Sequence, residues 1–152
     1  MSDNYLRIFP DSQSFVPASD AIERALEIVN HAFPGADEIS AERHDHPVFL
    51  DPGANLERVI CSACGAKTGR GSEWWEDLSD PHETNVACVI VRMRCCGAEV
   101  SFTTLEFEWP AGFASFVISV LNPGVPTGLD AMAVQDVEQH LGCNIRQIWA
   151  HL

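Results

Sequence analysis

The sequence predicts an α+β fold in which two or three helices pack against a small, mainly antiparallel sheet. Apolar residues at helical spacing predict the helices, and a β-branched run at 86–93 predicts a strand. Two cysteine–glycine clusters predict a zinc-ribbon-like insertion near the centre of the chain. At 152 residues, 46% of them hydrophobic, we expect one domain over 1–152, with the ribbon at about 56–100.

The first helix is predicted over residues 18–33. Ser19 or Asp20 is expected to cap it, and Pro34-Gly35 is expected to end it. Its buried face is predicted from apolar residues that recur at helical spacing, namely Ile22, Ala25, Leu26, Val29 and Phe33.

A second helix is predicted over 111–121, after Pro110, and a third from Thr127 or Asp130 to Gly142. The first two helices are expected to supply much of the core, against the strand at 86–93. The inward residues of the second helix are predicted to be Phe113, Phe116, Val117, Val120 and Leu121.

Short β-favouring stretches predict the remaining strands, at 5–9, 38–44, 48–50 and 145–149, and residues 100–109 are expected to be extended or turn-like. The first is expected at a sheet edge because Pro10, which ends it, cannot donate to a ladder. Ser72 is predicted to cap a short helix that runs to Leu78. We see no internal repeat.

The central cysteines form two candidate half-sites for a metal. Cys61 and Cys64 are separated by two residues and followed by Gly65, the pattern of a zinc knuckle. Cys95 and Cys96 bring two more sulfurs beside Gly97. Four thiolates from two turns can close a tetrahedral site, so the sequence predicts a Zn²⁺ ion held by these four cysteines.

The second half-site is irregular. A regular knuckle ending at Cys96 would have its first cysteine at the position of Met93. Neighbouring residues on an extended chain point in opposite directions, so Cys95 and Cys96 can both bind only if the backbone bends between them. Two alternatives stay open: a site completed by His82, His44 or Cys88 in place of one of the pair, and no metal at all.

Other chemistry-bearing patterns are weaker. His44-Asp45-His46 is interpreted as a polar loop rather than a metal site. A redox role for the C-x-x-C pair is disfavoured because the glycines that follow Cys64 oppose the helix on which such motifs begin. A phosphate loop ending at Lys67 is excluded, since Cys61 and Ala66 occupy its two glycine positions.

The net charge of the chain restricts the classes of partner that it can bind. The sequence has 9 Lys and Arg against 22 Asp and Glu, a net charge of −13. A surface this acidic repels nucleic acids and anionic membranes. We interpret the charge first as a means of solubility; it also suits a basic protein partner or mimicry of nucleic acid. The chain shows neither a signal peptide nor an apolar stretch of roughly 20 residues, so we expect a cytoplasmic protein.

The stretches Val59–Gly65, Trp74-Trp75, Cys95–Gly97 and Trp109–Ala114 together resemble a bacterial family of uncharacterised proteins. Its members pair a C-P-x-C-G knuckle with a C-C-G turn and a W-P-A-G-F-A helix start; Ser62 stands where the family often has proline. The resemblance implies a small soluble bacterial protein with a zinc ribbon. It supplies no established activity, so no catalytic residues are carried over from it. Some relatives carry an automatic label of sugar-transporter ATPase, which the lack of a phosphate loop contradicts.

These observations favour a protein-interaction module with a structural zinc site over an enzyme. Four sulfur ligands leave no open position for water or substrate. An immunity protein that neutralises a basic toxin is one concrete form. The alternative is a zinc-dependent hydrolase with three cysteine ligands, a metal-bound water, and Glu73, Glu83 or His82 as the base.

Overall fold

The computed structural model describes residues 3–50, 57–69, 89–108 and 111–151, and it confirms the α+β fold. Two α-helices accompany strands whose pairings are all antiparallel. In chain order the elements are β1 (Asn4–Pro10), α1 (Ser19–Ala32), β2 (Glu38–Leu50), β3 (Arg58–Ile60), β4 (Lys67–Gly69), β5 (Ile90–Arg92), β6 (Glu99–Ser101), a 3₁₀ turn (Phe102–Thr104), β7 (Glu106–Glu108), β8 (Gly112–Leu121), α2 (Ala131–Leu141) and β9 (Ile145–His151).

The main sheet has the strand order β2-β8-β1-β9. Because β1 and β2 both run antiparallel to β8, they are parallel to each other and joined through α1. β8 and β9 both run antiparallel to β1, so they too are parallel to each other, and they are joined through α2. The main sheet and its helices are therefore two interlocked, split βαβ units, the ferredoxin-like arrangement.

Both helices contribute to one large apolar cluster with the main sheet. Asp130 Oδ1 accepts a hydrogen bond of 2.8 Å from the Ala133 N–H, which caps α2, and Gly142 ends that helix with a φ of 80°. The buried residues of this cluster are Leu6, Ile8, Ile22, Ala25, Val29, Phe33, Phe116, Ile118, Val120, Leu129, Val137 and Leu141.

The ribbon lies between β2 and β8 in the sequence. These strands form a pair whose last rung joins Leu50 to Gly112, so residues 51–111 are inserted at the end of that pair. Within the ribbon, β3 pairs with β4 and β7, and β5 pairs with β6. The cysteine turns join β3 to β4 and β5 to β6.

A cluster of four phenylalanines joins the ribbon to the main sheet. Phe49 and Phe113 come from β2 and β8, and Phe102 and Phe107 come from the ribbon. The ring centroid of Phe49 lies 5.1 Å from that of Phe102 and 5.3 Å from that of Phe107. Aromatic pairs at this spacing attract one another beyond the gain from their buried area, so the cluster fixes the ribbon on the sheet.

The prediction of a helix over 111–121 is wrong, because residues Gly112–Leu121 form β8. The apolar spacing fits a helical stripe, yet the residues between its members are also buried. A strand inside a sheet with apolar neighbours on both faces has this continuous pattern, and the β-branched residues Val117, Ile118 and Val120 favour it. The core consequently forms around β8 and β1, while the strand near residue 90 belongs to the ribbon.

Two strand predictions also need correction. β1 is an inner strand with partners on both sides, and Pro10 is tolerated because it is the last residue of the strand. The two short strands predicted at 38–44 and 48–50 are one strand, β2, with a bulge between Arg43 and Val48.

The first helix is confirmed to within one residue at each end, but Ala18 is its N-cap and provides no side-chain hydrogen bond. The third predicted helix and the closing strand are confirmed as α2 and β9. The predicted helix at 72–78 lies outside the described residues, as do 86–88 of the predicted central strand. Neither described helix is long and apolar enough to cross a bilayer.

We predict that Gly112→Ala destabilises the protein by ~1–3 kcal/mol, because a methyl group there would overpack the sheet. An added Cβ would stand 2.4 Å from Cζ of Phe9, a side chain only 1% exposed that has little room to move. Gly35→Ala is the matched control, since no atom lies within 4 Å of its Cβ position. Urea unfolding measures the free energy of unfolding of both variants. Equal stabilities of the two variants would contradict this packing.

Candidate metal centre

The two cysteine turns have the same hydrogen-bonded framework. In the first, the Cys61 N–H donates to the Ala66 carbonyl at 2.9 Å. In the second, the Met93 N–H donates to the Ala98 carbonyl at 2.9 Å. The strands on either side also correspond, with β5 and β6 lying 32 positions after β3 and β4. The two hairpins are therefore a local repeat, and the expectation that the chain has no internal repeat is wrong at this scale.

A glycine closes each turn. Gly65 has a φ of 75° and Gly97 a φ of 73°, a left-handed conformation that side chains rarely adopt. Their N–H groups donate to the carbonyls of Cys61, at 2.9 Å, and Met93, at 2.7 Å. These bonds turn the chain back so that the residues before each glycine project from the hairpin end.

Four sulfur atoms meet between the two turns. The Sγ atoms of Cys61, Cys64, Cys95 and Cys96 all lie within 4.8 Å of one another. Sγ of Cys61 is 3.9 Å from Sγ of Cys96, and Sγ of Cys64 is 3.4 Å from Sγ of Cys95. A tetrahedral zinc ion with Zn–S bonds of about 2.3 Å separates its sulfurs by about 3.8 Å. The four cysteines could therefore hold a metal ion.

The irregular half-site has a simple explanation. Met93 occupies the place that Cys61 has in the first turn, and Cys96 occupies the place of Cys64. Cys95 stands where the first turn has Ala63, and the bend of the turn brings its sulfur to the cluster. Met93 is 1% exposed and packs in the ribbon core, so the fourth sulfur comes from the third position of the turn.

The structure brings together all four cysteines of the predicted site. Whether they bind a metal stays a prediction. Within the described ranges, no other group of three or more His, Cys, Asp or Glu side chains has this geometry. Of the alternative fourth ligands, His44 is outside the group, with its Nε2 3.5 Å from Oε2 of Glu42. His82 and Cys88 are outside the described residues.

The His44-Asp45-His46 segment lies in the bulge of β2. Nδ1 of His46 is 3.2 Å from the carbonyl oxygen of Pro47, its own neighbour. The two histidines are not part of a metal-like group in the part of the chain that the structure describes. The interpretation of this segment as a loop is wrong, because it belongs to β2.

The sulfurs differ in their electrostatic surroundings. The main-chain N–H of Cys64, assisted by that of Ala63, stabilises the thiolate of Cys61 and lowers its pKa to about 7. The thiol of Cys64, together with burial and the thiol of Cys61, raises the pKa of Cys95 to about 12. The N–H of Ala98 lowers the pKa of Cys96, but burial and the neighbouring thiols outweigh it and the pKa is raised.

Side-chain contacts tie the first turn to the rest of the ribbon. Oγ of Ser62 lies 2.9 Å from Oγ1 of Thr104, which itself donates to the Ser101 carbonyl. Since a hydroxyl has one proton, Ser62 is the donor. Nearby, Nζ of Lys67 on β4 lies 2.6 Å from Oε1 of Glu108 on β7, an ion pair across the three-stranded sheet.

Comparisons of the chain with protein-family models, with curated proteins and with solved structures found no match. The resemblance to the bacterial family therefore stays a prediction.

We predict that metal uptake at pH 8 releases at least two protons, because the pKa of Cys95 is about 12 and that of Cys96 is also raised. Thiols bind metal as thiolates, so each displaced proton changes the apparent affinity about tenfold per pH unit. The affinity should rise about a hundredfold or more from pH 7 to pH 8 in a chelator competition assay. An affinity independent of pH would contradict binding by these thiols.

Proposed function

We propose that this chain is an acidic protein-interaction module whose ribbon is held by one structural zinc ion at Cys61, Cys64, Cys95 and Cys96. The convergence of these four sulfurs from two matching turns carries the proposal. The function of the zinc is to keep the two hairpins together, and the acidic surface is what binds the partner.

The donor set favours zinc over harder cations. Thiolate sulfur is a soft ligand that suits zinc, whereas calcium and magnesium prefer oxygen. Sulfur spacings of 3.4–3.9 Å across the two turns bracket the separation of about 3.8 Å in a tetrahedral zinc–thiolate site. Iron in a tetrahedral sulfur site would also fit this donor set, and metal analysis distinguishes the two.

The same geometry supports a structural role. Four sulfurs complete the coordination of tetrahedral zinc and exclude a metal-bound water. The hydrolytic alternative needs one cysteine to leave the site, yet all four sulfurs lie within 4.8 Å of one another. Its candidate bases, Glu73, Glu83 and His82, are outside the described residues. The geometry therefore favours the closed site.

Zinc would add stability where the ribbon has little of its own. β3, β4, β5 and β6 have three residues each, too few to be stable as isolated hairpins. The two hairpins do not pair with each other through the main chain among the described strands. A shared metal ion would join them, so the free energy of metal binding would become free energy of folding for this part of the chain.

Among the described residues, the net negative charge lies on the main sheet and its helices. In the described residues, this part has twelve carboxylates and four arginines, whereas the ribbon has four carboxylates and four cations. The twelve are Asp3, Asp11, Asp20, Glu23, Glu27, Asp37, Glu38, Glu42, Asp45, Asp130, Asp136 and Glu138. We infer that the partner is a basic protein that binds this part of the molecule rather than the described residues of the ribbon.

We predict that Cys64→Ser lowers the zinc content and the melting temperature together, the latter by roughly 5–10 °C, because one of four ligands is lost. Cys143→Ser is the matched control: Cys143 lies at the end of α2, outside the sulfur cluster. That variant should keep its zinc and melt within about 2 °C of the parent. Unchanged zinc content and melting temperature in Cys64→Ser would refute the structural site.

We predict that the pair Glu23→Lys and Glu27→Lys, on the exposed face of α1, abolishes capture of the basic partner from a lysate of the native host. The pair Glu99→Lys and Glu106→Lys makes the same charge change on the ribbon and should retain capture. The bound protein should carry net positive charge and elute as salt is raised. The proposed surface would be contradicted if only the ribbon pair abolished capture, or if the captured protein were acidic.

A further inference from the structure

We propose that Cys64 and Cys95 form an oxidation site: a two-electron oxidant of the peroxide class joins their sulfurs in a disulfide, and the metal ion is then released. The inference rests on the proposed zinc site for its second half, the loss of metal. The pairing of the two cysteines rests on the geometry of the thiols themselves.

The choice of this pair follows from distance and exposure. The two sulfurs are 3.4 Å apart, against 3.9 Å for Cys61 and Cys96. Cys64 and Cys95 are both exposed, whereas Cys61 is only 2% exposed. An oxidant in solution therefore reaches the closer pair more easily than it reaches the pair that includes Cys61.

The irregular position of Cys95 distinguishes it from its neighbours. Main-chain N–H groups of Cys64 and Ala63 donate to the sulfur of Cys61, and the N–H of Ala98 donates to that of Cys96. The sulfur of Cys95 instead interacts with the thiols of Cys64, Cys61 and Cys96. When a metal ion holds the sulfurs as thiolates, N–H donors withdraw charge from those of Cys61 and Cys96, so Cys95 keeps more electron density than these two for attack on an oxidant.

The chemistry balances with peroxide as the oxidant. The Cys95 thiolate attacks one oxygen of hydrogen peroxide, the O–O bond breaks, and the products are a sulfenic acid and hydroxide. The Cys64 thiolate then attacks the sulfenic sulfur, forming the S–S bond and releasing a second hydroxide. Two thiolates lose two electrons in total, and the peroxide gains them.

The disulfide would replace the metal as the link between the hairpins. Cys64 belongs to the turn after β3 and Cys95 to the turn after β5, so the new bond would still join the two turns. The two remaining sulfurs are too few to hold zinc tightly. Oxidation would therefore exchange one cross-link for another, and a thiol reductant with zinc would reverse it.

The test treats the zinc-loaded protein with a few equivalents of hydrogen peroxide and follows zinc with a chromogenic chelator. Non-reducing peptide mapping identifies the first disulfide. We expect one zinc released for each Cys64–Cys95 disulfide formed, with Cys143 still reduced, and recovery of zinc binding after reduction. A first disulfide between Cys61 and Cys96, or between Cys95 and Cys96, would overturn the inference.

A double variant tests the position of Cys95. Met93→Cys with Cys95→Ala moves the fourth sulfur to the regular position of the turn, where the N–H groups of residues 95 and 96 would donate to it as those of Ala63 and Cys64 do to Cys61. Zinc release by peroxide should slow at least about tenfold relative to the parent. An equal rate in a variant that binds zinc would contradict the argument from position.

Failure of the zinc proposal can be told apart from failure of this one. Peptide mapping of the metal-free protein tests the Cys64–Cys95 pairing without any metal. Should the protein contain no zinc and still form this disulfide first, the zinc site is refuted and the pairing stands. Should it contain zinc but form another disulfide, the pairing is refuted and the zinc site stands.

Discussion

The meeting of four sulfur atoms between two hairpin turns is the constraint on which the ribbon depends. Each turn is made by a glycine with positive φ and a pair of main-chain hydrogen bonds, which orient the preceding side chains. Strands of three residues cannot hold this geometry alone. A metal ion bound by the four thiolates would join the two hairpins, and its coordination preference would then determine how the turns face each other.

The place of the insertion explains how the ribbon is built onto an ordinary split βαβ unit. It follows the last rung between β2 and β8, where Phe49 and Phe113 project from the strands toward Phe102 and Phe107 of the ribbon. The aromatic cluster provides apolar contact at one end of the ribbon, and the sulfur cluster provides a cross-link within it. Among the described residues the charge follows the same division, because twelve of their sixteen carboxylates lie on the main sheet and its helices.

Local patterns predicted part of this structure and failed where burial depends on the whole fold. The helix at 18–33 and α2 have clear apolar spacing and end signals, so their positions followed from the sequence. The apolar spacing of β8 also fits a helix, because burial on both faces makes that spacing uninformative. The cysteine–glycine pairs indicate the four cysteines, and the shared Val-x-x-x-x-Cys-Gly-Ala pattern at Val59 and Val91 signals the matching hairpins. The phenylalanine cluster joins residues far apart in sequence, which no local pattern shows.

X-ray absorption spectroscopy of protein purified without added metal tests the central claim most directly. The account predicts one zinc ion per chain with four sulfur neighbours at about 2.3 Å and no oxygen or nitrogen in the first shell. Protein without a bound metal, or zinc with two or more oxygen or nitrogen neighbours, would contradict it.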